Sequence, residues 1–230
     1  MTVPLNQPET TLRTVTCPHC GQLLQEPFQG VLTPDSQAMR DLLQGTLNCP
    51  KCPHCGKVFR LGGQLIYRDP DTAFILVQDE MPEDGDTEPL EQEVDCLATD
   101  AAMAHGLERP TVRLVFTRED FLEKIFLRRA GLDDRLIEYA KYQLHQWGAK
   151  DLLSAARFRL LYDFSNQSEE NLSFIVFDRE TLKPVNGLQV PRAEYDKLLA
   201  EFQNNPNLMK ELETLFPGCF VHVDRLFDKA

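Results

Sequence analysis

The chain of 230 residues lacks the long apolar run of a membrane-spanning helix, since no window approaches about 18 consecutive apolar residues. Its first residues, MTVPLNQPETTLR, also lack the apolar run behind a basic end that marks a secretory signal peptide. A hydrophobic content of 42% and a charged content of 26% exclude a disordered or fibrous chain. We therefore expect a globular, cytoplasmic protein without a membrane partner.

Familiar catalytic motifs are missing as well. The sequence contains no G-x-x-x-x-G-K-[ST] phosphate loop, no H-E-x-x-H, no G-x-S-x-G and no G-x-G-x-x-G. Outside the cysteine motifs, His105, His145 and His222 lie far apart, with no cysteine or carboxylate pattern beside them. The acidic pair Asp133-Asp134 begins a predicted helix, where capping explains it better than a metal or a general base. The sequence therefore predicts no catalytic residue and no site for an organic cofactor.

Basic residues are scarce, because 24 Lys and Arg stand against 36 Asp and Glu and leave a formal net charge of −12. Residues 79–110 hold most of the excess, with eleven acidic residues, one basic residue and no aromatic residue. This composition is typical of a solvated linker, in which residues 88–104 could form a short helix. We predict a first domain over residues 10–78, an acidic linker over 79–110 and a second domain over 111–230.

The strongest positive feature is a repeat, in which Cys17-Pro18-His19-Cys20-Gly21 recurs as Cys52-Pro53-His54-Cys55-Gly56. Two thiolates three positions apart can bind one tetrahedral ion, and the following glycine permits the positive φ that closes the turn. Four thiolates leave no open coordination position, which disfavours Lewis-acid catalysis, and iron remains an alternative to zinc. We therefore predict one structural zinc site with four ligands: Cys17, Cys20, Cys52 and Cys55.

Three cysteines stand outside this repeat. Cys49 begins another C-P-x-C, but only the later pair is followed by glycine and matches the first motif, so Cys49 is predicted to be a spare thiol near the metal. Cys96 and Cys219 are isolated in sequence, and we expect each of them either to be buried or to have no role. His19 and His54 occupy motif positions that normally point outward, and we expect them to be exposed rather than ligating.

Strand-like runs flank both motifs and predict a zinc-ribbon-like β domain. The first motif lies between residues 12–16 and 22–28, and the second is followed by runs at 57–67 and 73–77. Between the motifs, Ser36 and the apolar residues after it at helical spacing predict one inserted, capped helix.

The paired C-P-x-C motifs, the helix between them, Leu47-Asn48 before the second motif and Tyr67 after it resemble the CpXC family of bacterial and archaeal proteins. This resemblance covers residues 15–78 best. Three later runs are similar to the longer members of the family: residues 113–115, 121–125 and 131–138. The resemblance implies that the four cysteines of the repeat bind a metal, and the chain departs from the family pattern at Cys49. It implies no activity.

Residues 111–230 predict a small α+β domain with an antiparallel sheet, so the fold class of the whole chain is α+β. The predicted strands are residues 111–116, 157–164, 172–177, 188–190 and 219–226. The predicted helices are a first one capped by Thr117 and stopped by Gly131, then residues 133–147, 191–202 and 207–216.

Three classes of function fit these features. A zinc-stapled interaction protein with a protein partner explains all of them and is favoured. Cys-Pro-His-Cys is also the active-site motif of some thioredoxin-like thiol-disulfide oxidoreductases, but there the motif opens a helix, whereas Gly21, Gly56 and strand-like residues follow it here. Nucleic-acid binding through the ribbon is disfavoured, because residues 10–78 carry only six basic residues against five acidic ones.

Overall fold

The computed structural model describes residues 10–105, 109–147, 153–166 and 168–227, with the side chains of 101–105 and 147 excepted. The chain divides into two compact units, and the division falls between Thr117 and Arg118. Among the described residues, no helix combines the length and the apolar content needed to cross a bilayer.

The first unit begins with a two-stranded antiparallel hairpin. Strand β1 (Thr10–Thr16) pairs with β2 (Leu23–Gln29) over its whole length. Side chains alternate between two faces, so that Leu24 and Phe28 are buried while their neighbours face solvent. Both strands were predicted within one or two residues of their ends, and the turn between them carries the first cysteine motif.

A short strand and one helix follow the hairpin. Strand β3 (Val31–Leu32) is buried, and helix α1 (Gln37–Leu43) begins after Ser36, whose hydroxyl accepts a hydrogen bond from the Met39 amide at 3.1 Å. This bond satisfies one of the free amides at the helix start, as expected of a serine N-cap. The predicted inserted helix is confirmed.

A mixed sheet of four strands forms the core of the first unit. Strands β4 (Leu65–Asp69) and β5 (Phe74–Gln78) are antiparallel, and β3 lies parallel to β4. The run predicted over residues 57–67 forms a strand only in β4. Its earlier part makes one isolated bridge, from Val58, and Gly63 has a φ of +138° that regular strand geometry does not allow.

The acidic segment supplies a crossover connection within this first unit. It contains α2 (Glu88–His105), which confirms and extends the predicted short helix, and it leads to β6 (Thr111–Val115). Strand β6 pairs with β5 in parallel, and parallel neighbours require a long connection of this kind. The strand predicted to open the second domain is thus an edge strand of the sheet in the first unit. The independent folding of residues 10–78 and 111–230 stays a prediction.

The second unit combines helices with a three-stranded antiparallel sheet. Its helices are α3 (Arg118–Arg129), α4 (Asp134–Trp147), α5 (Arg192–Asn204), α6 (Pro206–Leu215) and α7 (Asp224–Phe227). Its strands are β7 (Phe158–Tyr162), β8 (Asn171–Asp178) and β9 (Lys183–Pro191), and they pair in that order. The apolar core includes Leu127, Ile137, Phe174 and Leu212. The α+β fold class is confirmed.

The predicted closing strand at residues 219–226 is wrong. This stretch is irregular up to the short helix α7. The alternation of apolar and polar residues suggested a strand with one solvent-exposed face, but Val221, His222 and Val223 are all buried. The Val223 amide donates to the Glu138 carboxylate at 3.0 Å instead of to a neighbouring strand.

Candidate metal centre

The two cysteine motifs fold into knuckles closed by the same hydrogen bonds. In the first, the Cys17 amide donates to the Gln22 carbonyl and the Gly21 amide donates to the Cys17 carbonyl, both at 2.9 Å. Cys52 and Gly56 repeat these two bonds at the same length in the second knuckle. Gly21 has a φ of +74° and Gly56 a φ of +71°, a backbone region that favours glycine. The repeat in the sequence is therefore a repeat in backbone geometry.

The knuckles bring the four predicted cysteines together. The sulfur atoms of Cys17, Cys20, Cys52 and Cys55 all lie within 4.8 Å of one another. The Sγ atoms of Cys17 and Cys55 are 3.8 Å apart, and those of Cys20 and Cys52 are 3.7 Å apart. A regular tetrahedron with Zn–S bonds of about 2.3 Å has edges of about 3.8 Å. The four thiols therefore have the spacing of a tetrahedral metal site, and they can hold one metal ion.

The cluster has a buried side and a solvent side. The first cysteine of each knuckle, Cys17 or Cys52, is buried, and the second, Cys20 or Cys55, is exposed. The buried pair anchors the knuckles in the unit, while the exposed pair leaves the outer half of the cluster at the surface. A metal ion could therefore be reached by chelators without unfolding of the sheet.

The thiols alter one another's protonation. Burial raises the pKa of Cys17. Hydrogen bonds from the backbone amides of His19 and Cys20 and from the Cys20 and Cys52 thiols outweigh burial and lower the pKa to about 7. The Gln22 amide lowers the pKa of Cys20, but burial and hydrogen bonds with the three other thiols raise it to about 12. One proton thus leaves the cluster readily and another is retained. A bound cation would allow all four groups to be thiolates.

Asn48 joins the second knuckle to the hairpin. Its side-chain oxygen accepts from the Gln29 amide at 2.8 Å, and its side-chain amide donates to the Gln29 carbonyl at 2.9 Å. Its own carbonyl accepts from the Leu61 amide at 2.8 Å, across the loop that contains the knuckle. Asn48 has a φ of +56°, which asparagine tolerates better than most residues. This residue therefore holds the two halves of the site in register.

Arg13 makes a second link between the hairpin and the later loop. Its guanidinium lies 3.5 Å from the centre of the Phe28 ring and donates to the Gly62 carbonyl at 3.1 Å. Gly63 has a φ of +138°, which L side chains rarely adopt, and this explains the glycine beside the guanidinium. The sequence contained no signal for the hydrogen bond from Arg13 to Gly62, because these two residues lie 49 positions apart.

The other predicted residues lie outside the cluster. The Cys49 thiol is half-buried and donates to the carbonyl oxygens of Gly45 and Leu47 at 3.5 and 3.4 Å. His19 and His54 are both exposed. Cys96 is exposed in the first unit, and Cys219 is buried in the second unit.

Comparison with known families now identifies the chain. Residues 15–141 match the family model described as CpXC protein, which covers more than half of the chain. The chain belongs to the CpXC family. The match of this CpXC protein extends beyond the ribbon through α2 and β6 into α3 and α4. The predicted resemblance is therefore confirmed, and it covers more of the chain than residues 15–78. No curated protein and no solved structure gives a significant match.

A second cluster of charged residues was missed by the sequence analysis. In the second unit, Glu123 and Lys124 of α3 and Glu138 and Lys141 of α4 are almost completely buried. Lys124 and Lys141 each lie 3.0 Å from the Glu138 carboxylate, and Lys141 lies 2.8 Å from Glu123. In the sequence, these four charged residues lie beside the apolar positions of α3 and α4. Charged residues at such positions usually face solvent, so the pattern gave little indication that they are buried.

This charged cluster is internally compensated. Burial raises the pKa of Glu138, but the positive charges of Lys124 and Lys141 outweigh burial and lower the pKa to about 2. Burial lowers the pKa of Lys141, but Glu123 and Glu138 raise it above its usual value. Glu138 and Lys141 therefore remain charged at neutral pH. Paired in this way, the four groups fasten α3 to α4, and they do not form a reactive site.

Proposed function

We propose that Cys17, Cys20, Cys52 and Cys55 hold one structural zinc ion and that the protein is a non-catalytic binding module for a protein partner. The observation that carries this proposal is the near-tetrahedral spacing of four sulfurs on two knuckles with the same backbone hydrogen bonds. Four thiolates saturate a tetrahedral ion, so no position remains for water or a substrate.

The energetics favour a metal that stabilises the fold. The predicted domain of residues 10–78 has about 70 residues, a size at which the apolar core seldom contributes more than about 3 to 5 kcal/mol. A closed structural zinc site in small fingers contributes about 10 to 16 kcal/mol of apparent binding energy. Removal of the metal is therefore expected to unfold the ribbon around the knuckles, and added zinc is expected to restore it.

Metal analysis of single cysteine variants tests the ligand set. We expect one zinc ion per chain in the wild type, and large losses of zinc for Cys17→Ser, Cys20→Ser, Cys52→Ser and Cys55→Ser. Cys49→Ser is the matched control, because this thiol lies next to the second knuckle but bonds to two backbone carbonyls. Equal loss of zinc from Cys49→Ser and Cys55→Ser would contradict the proposed ligands. Iron as the bound metal would contradict only the choice of zinc.

The oxidoreductase alternative makes a different redox prediction. Two close sulfur pairs join one knuckle to the other, Cys17 to Cys55 at 3.8 Å and Cys20 to Cys52 at 3.7 Å, which supports a shared ion. In addition, β2 follows the first motif, where an oxidoreductase would have the start of a helix that stabilises a thiolate. Protein purified without reductant should retain zinc and four reduced thiols. A folded, metal-free form with a reversible Cys17–Cys20 disulfide that reduces a model disulfide would support the oxidoreductase instead.

Exposed apolar side chains support a protein partner. Leu12 and Leu23 are 75% and 69% exposed on the outer face of the hairpin, and Val58 beside the second knuckle is 58% exposed. A surface for nucleic acid would need basic residues in their place. A pulldown from the native cell should lose its partner with Leu12→Ser/Leu23→Ser while the zinc content stays unchanged. Leu182→Ser in the second unit, where Leu182 is 77% exposed, is the control.

A further inference from the structure

His222 is an ionisable group buried among carboxylates in the second unit. It lies in the irregular segment before α7 and is 7% exposed. Its Nε2 atom is 3.6 Å from a carboxylate oxygen of Asp120 in α3, and its Nδ1 atom is 3.6 Å from a carboxylate oxygen of Asp224 in α7. Both ring nitrogens thus lie near a carboxylate.

The neighbouring residue connects the same segment to α4. The Val223 amide donates to Glu138 at 3.0 Å, and the Glu138 carboxylate also acts on the charge of His222. Lys124 and Lys141 already pair with Glu138, so the field of this carboxylate at His222 is reduced but not removed. The segment of residues 219–227 is therefore attached to α3 through His222 and to α4 through Val223.

Two arginines and one amide also surround the imidazole. Arg159 from β7 pairs with Asp120, and Arg179 after β8 pairs with both carboxylate oxygens of Asp224. The Asp224 amide lies 3.2 Å from Nδ1 and donates to it when the ring is neutral. The Phe220 ring stacks on the imidazole, with 5.6 Å between ring centroids. The two arginines and the Asp224 amide oppose protonation of the imidazole, and the carboxylates of Asp120, Glu138 and Asp224 favour it.

We propose that His222 binds a proton inside the second unit, and that this proton fastens residues 219–227 to α3 and α4 so that the second unit loses stability as the pH rises above neutral. The feature that carries the proposal is the position of the His222 imidazole between the carboxylates of Asp120 in α3 and Asp224 in α7. Protonated His222 places a positive charge 3.6 Å from a carboxylate oxygen of Asp120 and 3.6 Å from one of Asp224, whereas the neutral ring carries no charge for them to attract.

The direction of the pH effect follows from the balance of these contacts. Burial lowers the pKa of His222, but Asp120, Glu138 and Asp224 raise it above its usual value. A histidine whose pKa is raised by folding contributes stability that is fully present below its unfolded pKa, near 6.5, and that is lost as the pH rises through the folded pKa. The loss therefore begins above about pH 6.5.

His145 is the matched control within the same unit. It is also 7% exposed, and its Nδ1 atom lies 2.6 Å from the Leu153 carbonyl. Burial lowers the pKa of His145 below its usual value, more than the Leu153 carbonyl raises it. A histidine whose pKa is lowered by folding destabilises the protein as the pH falls. The stability of the unit therefore changes with pH in opposite directions through His145 and His222.

Denaturation of the full chain tests the proposal. The single tryptophan belongs to α4 of the second unit, and its fluorescence is followed while saturating zinc protects the cysteine site. From pH 6 to pH 9, we expect the urea midpoint of the wild type to fall by roughly 0.5 M or more. His222→Gln should show little fall, and His145→Gln should fall as the wild type does. An equal fall in both variants, or none in the wild type, would overturn the proposal.

Two further measurements do not depend on variants that fold. NMR titration of the wild type should place the pKa of His222 above 6.5 and that of His145 below it, and a His222 value under 6.5 would refute the proposal. Amide hydrogen exchange, corrected for its intrinsic dependence on pH, should show protection lost in residues 219–227 before the rest of the unit. Uniform loss across the unit would refute the fastening role.

Discussion

At the scale of single residues, Glu138 shows how buried charge is tolerated in this protein. Glu138 has no exposed surface, and its carboxylate accepts from Lys124, Lys141 and the Val223 amide, each at 3.0 Å. A buried charge without partners would be neutralised or would prevent folding. Here three donors bind the carboxylate, and two of them are lysine side chains.

The variant Glu138→Gln tests this arrangement. It keeps the shape of the side chain but leaves Lys124 and Lys141 without one carboxylate, so we expect a loss of about 3 to 5 kcal/mol in the free energy of unfolding. Chemical denaturation at pH 7 measures this loss. Glu213→Gln on the exposed side of α6 is the control and should change the stability little.

The same carboxylate predicts a response to acid. The lysines hold the pKa of Glu138 at about 2, below its value in an unfolded chain. The stability it contributes is therefore present above about pH 4.3 and is lost as the pH falls toward 2. Acid denaturation followed by tryptophan fluorescence should show a smaller loss over this range in Glu138→Gln than in the wild type, and parallel curves would contradict the assignment.

At the scale of elements, the two knuckles are the clearest case in which a short pattern determines a structure. Each needs two cysteines three positions apart and a glycine directly after them, and each closes with the same two backbone hydrogen bonds. The metal would add the connection between the knuckles, while Asn48 and Arg13 supply connections made by the protein alone.

The variant Gly56→Ala tests the role of backbone geometry in the second knuckle. Only the tip of the Lys51 side chain would come near a Cβ atom there, so the cost comes from the positive φ and should be about 1 to 2 kcal/mol. We expect faster loss of zinc to a chelator and a lower thermal midpoint. Gly187→Ala, at a site with open space and no positive φ, is the control. Equal effects of the two changes would show that the φ angle is not the cause.

At the scale of the whole molecule, the acidic segment connects two strands of one sheet. Residues 79–87 are mostly exposed, whereas α2 buries Val94 and Ala98 and leads into β6 beside β5. The long connection with its helix is therefore part of the first unit. Its negative charge remains largely at the surface, and this explains why the composition is typical of a linker.

Limited proteolysis tests this organisation. We expect the first cut within residues 79–110, as the composition predicts, and more narrowly within 79–87. Because β6 remains paired with β5, the two fragments should elute together under native conditions and separate only in denaturant. Separation under native conditions would instead favour a boundary at the acidic segment and independent folding of residues 111–230. A first cut inside either sheet would contradict both interpretations.

Local patterns alone were enough to predict the knuckles, the hairpin strands, the capped helix α1, the helices α3 to α6 of the second unit and the membership of the family. In each, the deciding interactions join residues close in sequence: a glycine after a cysteine pair, a serine before a helix, alternation along a strand. The exposed His19 and His54 and the separate Cys49 follow from the same motif.

Tertiary structure alone decided the neighbour of β6, the irregular path of residues 219–223 and the burial of Glu123, Lys124, Glu138 and Lys141. Period and composition describe which residues prefer water, but they do not identify the partner of a strand or the charge that lies opposite another charge. Val223 and Glu138, 85 positions apart, form one hydrogen bond. Contacts at that separation depend on how the elements pack, and no local pattern encodes them.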